Sequence, residues 1–312
     1  MPRRLLCLSA LVATLLVSSE ARAGKYDLDL TSLGQVNDDG TVSQRNGDFR
    51  SLSSEVGVLM APRPVDPADS LGLSGFAVSA DIGINTLSGD KAYWADTSRG
   101  ADNVAPSLQI MGRKGLWPGI EIGAGTTHLF DSRMWTISGY GKIALHEGFH
   151  HMPIPSIAVR GMFSRLLGGR DLDMTTVSID ASISHVFGIG KTFSITPYGG
   201  YQALMIFSRT GIIDSTPGHD EQLEGPQPCA NGEADCFNQS EFVFRQQDVI
   251  VRHRPFIGVR LIFSVLRVGL EAMIVPGGKS GATVDLPNNG TETVTDASGL
   301  QQQYTISLGL DF

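Results

Sequence analysis

The sequence predicts an all-β chain that closes as a transmembrane antiparallel up-and-down β-barrel of about 12 strands, with 10 or 14 also fitting the pattern. Three observations predict it. The last nine residues alternate between an apolar and a polar face up to an aromatic end. Short alternating segments recur along the chain, separated by turn-rich gaps. Most of those gaps sort by parity into a tight set and a long set, the short Asp131 to Arg133 link and two longer Pro-containing gaps excepted, as a barrel with two unlike rims favours.

In the terminal stretch, Tyr304, Ile306, Leu308, Leu310 and Phe312 share one face, and Thr305, Ser307, Gly309 and Asp311 the other. Successive strand side chains point to opposite sides, so this is a strand with an apolar and a polar face. Lipid outside and a polar lumen inside demand that pattern. The stretch resembles the C-terminal signature of Gram-negative outer-membrane β-barrel proteins, a terminal Phe preceded by apolar residues at alternate positions. The resemblance implies that these five residues are an assembly signal read by the barrel-assembly machinery. It also implies an outer-membrane location with outer-membrane lipid around the wall.

Composition agrees. The chain has 312 residues, 41% hydrophobic, with 37 Gly and only 3 Cys. Only every second strand residue meets lipid, so a barrel keeps an ordinary hydrophobic content. The formal charge is −8, and it grows more negative once Arg3, Arg4, Arg22 and Glu20 leave with the first 23 residues. An acidic surface argues against a nucleic-acid partner. Arg3 and Arg4 precede a mostly apolar run, Leu5 to Val17, and Ala21 and Ala23 offer the small residues of a cleavage site. Residues 1–23 therefore read as a secretory signal peptide, too short in its apolar run to span as a helix, and 24–312 as the barrel domain.

Twelve segments follow in order. Tyr26 to Leu33 and Phe49 to Ala61 are the first two, the second ended by Pro62, Pro64 and Pro67. Gly72 to Thr86 alternates most clearly, with Phe76, Val78, Ala80, Ile82 and Ile84 outward. Pro106 to Lys114, Ile120 to Phe130, Met134 to His146, Ser156 to Leu166, Asp173 to Phe187 and Lys191 to Phe207 come next. The last three end at Ser264, at Val275 and at Phe312. No long helical pattern appears; a turn or two near Asp66 to Leu71 is the best candidate. Tight gaps at Gly115 to Gly119, Gly188 to Gly190 and Val265 fall on one parity. The long gaps, one holding Cys229 and Cys236 and one rich in Gly, Thr and Asn, fall on the other. Trp117, Phe187, Phe263 and Phe312 sit at one expected interface, Trp135 and Phe207 at the other. The closing strand is expected to pair with Tyr26 to Leu33, with both termini periplasmic.

The candidate lumen-lining residues carry both signs: Asp81, Glu121, Asp180 and Glu271 against Arg113, Lys142, Arg160 and Arg260. They must pair or stay hydrated. A bracing salt-bridge network and a lining for small polar solutes both fit them. Cys229 and Cys236 are the only Cys left after processing, and an oxidising compartment favours a disulfide between them. His146, His150 and His151 cluster at one gap without the neighbours a metal site needs, so neither metal nor cofactor is expected. No His-x-Ser or Gly-x-Ser-x-Gly is present. Asp131, Asp171, Asp173 and Asp214 with His128 and His253 are rim residues that a hydrolase would have to bring together. The leading expectation is a non-enzymatic channel or transporter for small polar solutes. The alternative is a closed barrel acting as a surface structural or binding protein through its long loops. At the wall, Arg in place of Ile82 or Ile179 should be costly, and at Ser79 or Ser182 much less so.

Overall fold

A computed structural model describes residues 24–37, 42–147, 154–189, 192–214, 241–286 and 290–312. Residues 1–23, His150, His151, Cys229 and Cys236 lie outside the described residues. In chain order come a 3-10 turn Leu30–Leu33, β1 Gly34–Val36, β2 Val42–Gln44, helix α1 Asn46–Met60, β3 Phe76–Thr86 and helix α2 Ala92–Ala95. Then follow β4 Val104–Trp117, β5 Ile120–Leu129, β6 Trp135–His146, β7 Ser156–Leu167, β8 Leu172–Ser184, β9 Phe187–Ile189 and β10 Phe193–Thr210. The chain ends with β11 Ile213–Asp214, β12 Glu241–Phe242, β13 Ile250–Phe263, β14 Leu266–Val275, β15 Gly281–Asp285, β16 Thr291–Thr295 and β17 Gln301–Asp311.

Ten antiparallel strands close a ring in the order β3-β4-β5-β6-β7-β8-β10-β13-β14-β17 and back to β3. Closure removes every sheet edge, which a wall facing lipid must do. Ten is one of the counts the pattern allowed. The alternation of the wall strands is as expected. In β3, Phe76, Val78, Ala80, Ile82 and Ile84 point out, while Ala77, Ser79, Asp81, Gly83 and Asn85 are buried. Tight links follow Trp117 and Phe263 at one rim. The β10–β13 and β14–β17 connections emerge at the other, which we call the loop rim.

The first two expected strands are corrected. Tyr26 to Leu33 forms no wall strand; it ends in the 3-10 turn, with Leu30 and Leu33 buried. Phe49 to Ala61 is not a strand but the C-terminal part of α1 and its cap, buried in the lumen. Val56, Val58 and Met60 alternate and imitate a strand. Yet Phe49, Leu52, Val56, Leu59 and Met60 recur at helical spacing, and the wall accepts that stripe. Gly57 permits the fit: a Cβ there would stand 2.5 Å from Ile206 Cδ1. Residues 66–71, the best helical candidate in the sequence, have no helix.

The closing pair changes accordingly. β17 joins β3, with Ile306 opposite Ile82 and Leu310 opposite Val78. Gly24 and Phe312 also lie at opposite rims, against the expectation that both termini share one side. The Tyr26 N–H donates to Asp131 O in the β5–β6 link (3.1 Å), whereas the Phe312 N–H donates to Phe76 O (2.7 Å). The chain enters the lumen from the loop rim, threads it and emerges into β3.

Candidate functional site

The candidate site is the lumen together with the loop rim above it. Inward wall residues form two layers. Around α1 the wall is mixed, with apolar Leu204, Ile206, Ile250, Met273 and Val275 beside Arg252 and Gln303, which donate to Ser54 Oγ and Val58 O of the helix. Lower down it is charged, and there the chain runs as an extended strap, residues 61–75.

A strap inside a closed barrel meets strands whose backbone groups already pair with one another. Its own N–H and C=O groups therefore need side-chain partners. Pro62, Pro64 and Pro67 have no N–H to satisfy. Wall side chains meet many of the others. Arg63 N–H donates to Gln109 Oε1 (2.9 Å), and Gln109 Nε2 donates back to Arg63 O (3.2 Å). Val65 N–H donates to Glu271 Oε2 (2.8 Å), and Arg267 Nη2 donates to Val65 O (2.6 Å). Arg160 Nη1 reaches Pro64 O at 3.3 Å. Ala68 N–H donates to Ser184 Oγ (3.1 Å) and Leu71 N–H to Glu121 Oε2 (3.1 Å).

Charges repeat the pattern. Asp66 is 3% exposed at its side chain and receives Lys142 at 2.6 Å, Arg267 at 2.9 Å and Arg260 at 3.5 Å. Lys142 also pairs with Glu121 (3.2 Å) and donates to the carbonyls of Pro67 and Asp69. Arg160 pairs with Asp180 at 3.0 Å, and Asp69 takes the other face of Arg260.

All eight candidate lumen residues are buried on the inward face of the wall. What they face differs from a solute path. Lys142, Glu121, Arg160, Arg260 and Glu271 hold the strap directly. Asp180 orients Arg160, Asp81 accepts from Gln109 and Ser307, and Arg113 donates to Ser79. Several residues escaped the sequence reading. Arg252, Arg254 and Arg267 have the same parity as Arg260 and Glu271 on their strands, so the inward face was there to be extended. Arg63 and Asp66 lie in a stretch without periodicity and gave no signal.

The helix ties down the loop rim. Glu55, fully buried, accepts from Tyr93 Oη (2.9 Å), Trp94 Nε1 (2.8 Å), Ser88 N (3.0 Å) and Gly299 N (3.0 Å). Phe49 stacks on Phe244 at 4.4 Å between ring centroids. Arg50 donates to Asp248 O and Ser280 Oγ. Two clefts open at this rim. One, about 410 Å3, is bounded by Asp27, Asp29, Arg99, Arg133 and Arg170. The other, about 390 Å3, lies by Gln44, Phe242 and Asp285.

Three of the rim residues a hydrolase would have to gather make other contacts. Asp173 bridges Arg165 and Arg209. His128 stacks on Trp135 at 4.0 Å, and His253 meets Tyr201. The outer wall between the rims is an apolar belt from Ile82 and Ile84 round to Ile306 and Leu308. Exposed Trp117, Phe187, Phe263 and Phe312 mark its lower edge and Trp135 its upper. The chain has the architecture of an outer-membrane β-barrel. Tyr304, Ile306, Leu308, Leu310 and Phe312 all point outward on it.

Solved structures of such barrels are similar in fold. The outer membrane protease OmpT from Escherichia coli has 9% identity and a TM-score of 0.34, covering 77% of this chain and 96% of that one. Neisserial surface protein A has 10% identity and 0.29, covering 76% and 95%. The translocator domain of autotransporter NalP from Neisseria meningitidis has 10% identity and 0.35, covering 77% and 89%. No family model and no curated protein matches the sequence. At these values no statement about activity passes from them to this chain.

Proposed function

We propose that this chain is a sealed outer-membrane barrel that presents a fixed loop face for binding a partner at the cell surface. One observation carries the proposal: residues 46–75 fill the lumen, and the charged wall residues hold the strap where a channel would hold water. The channel for small polar solutes, the first expectation from the sequence, is set aside on that ground. The loop face is built on the helix through Glu55, Arg50 and Phe49, which suits a rigid binding surface. The barrel-assembly machinery reading Phe312 and its alternate neighbours, outer-membrane lipid round the belt, and the loop rim facing outward belong to this proposal. No nucleic-acid partner and no enzymatic step are part of it.

The test replaces residues 276–300 with a short turn and follows assembly and surface binding separately. An assembled barrel that has lost its surface phenotype is the expected result. An assembled barrel with that phenotype intact, also after removal of Ser215 to Asn238, would overturn it.

A further inference from the structure

The outer wall carries almost no charge. On the ten wall strands, the only Lys, Arg, Asp or Glu at outward positions are Lys114, Arg165, Asp173 and Arg209. Lys114 stands at the lower rim and donates to Ser74 O (2.7 Å). The other three lie together on β7, β8 and β10 in the loop half. Arg209 is in register with Asp173, and Arg165 with Thr175, the next outward position of β8.

Asp173 takes both guanidiniums, Arg209 through Nε at 2.9 Å and Arg165 through Nη2. Arg165 Nη1 also donates to Thr175 Oγ1 (2.7 Å). One carboxylate serves two arginines, so the cluster keeps a surplus of one positive charge. The side chains of Arg165 and Arg209 are 51% and 62% exposed, and Arg209 Nη1 and Nη2 have no partner among the described residues. Apolar side chains frame the cluster. Arg165 is in register with Ile137, on the belt side of the Trp135–Leu167 pair. Exposed Phe163 and Leu167 flank it on β7, and Phe207 is the outward residue before Arg209 on β10. The two arginines therefore stand at the upper edge of the belt, the level at which Trp135 lies and lipid tails give way to headgroups. Positive charge is costly beside hydrocarbon, and a long Arg stem carries its head to the interface.

We propose that Arg165 and Arg209 hold the phosphate of an anionic lipid headgroup in the leaflet at the loop rim. The planar fork of a guanidinium matches two oxygens of a phosphate, and the phosphate supplies the negative charge that Asp173 alone does not. Asp173 and Thr175 set the direction of the two forks. Juxtamembrane arginines attract anionic lipid in this way. The site lies on the outer wall, so it is independent of the partner that the loop face binds.

The test is native mass spectrometry of the full-length protein in detergent, titrated with diphosphoryl lipid A, with its dephosphorylated form and with inorganic phosphate. The phosphorylated lipid is expected to give a one-to-one adduct, and the other two are expected to bind far more weakly. Arg165→Gln and, independently, Arg209→Gln should each weaken the adduct about tenfold, the loss of one hydrogen bond to a charged group. Asp173→Asn keeps an acceptor for Arg209 and raises the surplus to two charges, so it should bind the lipid more tightly. A purely bracing role for the three residues predicts the reverse for Asp173→Asn. Equal binding of the dephosphorylated lipid, an unchanged adduct in either folded arginine variant, or a weaker one in Asp173→Asn would overturn the proposal. Inorganic phosphate bound as tightly as the lipid would also overturn it, by reducing the cluster to a site for a free ion.

Discussion

Lys142 Nζ lies 2.6 Å from Asp66 Oδ2 and 3.2 Å from Glu121 Oε1, so a single wall lysine binds one carboxylate of the strap and one of the barrel. Asp66 is the more connected of the pair, because Arg267 and Arg260 also reach it. Removing its charge leaves Lys142 and Arg260 with one carboxylate each and Arg267 with only Asp311, at 3.8 Å. Asp66→Asn is expected to cost about 3–5 kcal/mol in urea unfolding, the usual consequence of breaking a buried ion pair. Lys142→Met should cost less, since two arginines remain on Asp66. Equal losses would show that the lysine is the hub.

Helix α1 meets the wall at Gly57, with Ile206 filling the space a side chain would occupy. Gly57→Ala forces that contact and should cost about 1–3 kcal/mol by overpacking. In an Ile206→Ala background, the same substitution should be neutral or favourable. A double-mutant cycle measures the coupling. An additive pair would place the helix elsewhere in the lumen.

Much of this was legible in the sequence, because the wall obeys a period of two that lipid on one side enforces. That parity separates the two faces of each wall strand, such as Ile82 and Ile84 from Asp81 and Asn85 on β3. The contents of the lumen did not. Val56, Val58 and Met60 alternate over five residues, and that short alternation hid a helix whose stripe begins at Phe49. Burial all round α1 gives no polar face to reveal the helical period. The strap has no period at all, because each of its groups answers to a different wall side chain. Of the two segments misread as strands, one lies inside the barrel and the other at its loop rim, and the rule for a lipid-facing wall applies to neither.

The filled lumen reverses one expectation about the wall. Ile82→Arg and Ile179→Arg, on the exposed belt, should each cost about 2–4 kcal/mol near the bilayer midplane. On the face assignment alone, Arg at Ser79 or Ser182 is expected to be much cheaper. Both serines are buried, at 2% and 4% exposure. Arg at either should therefore impair folding at least as much as at Ile82. Unfolding of the four variants in one lipid decides it, and a small loss at the two serines would indicate room in the lumen.

Glu55 joins the β3–β4 connection to residue 299 through four accepted hydrogen bonds. Glu55→Ala leaves those donors unsatisfied. Amide exchange should accelerate in residues 87–103 and 276–300 while the lower wall strands stay protected. Uniform acceleration along the barrel would instead assign Glu55 to global stability.

The central claim is that residues 46–75 seal the barrel. Single-molecule conductance in planar lipid bilayers tests it most directly. The full-length protein is expected to insert without producing stepwise current at moderate voltage. Reproducible open steps from the wild-type chain would contradict the sealed lumen and return the charged wall to the role of a solute path.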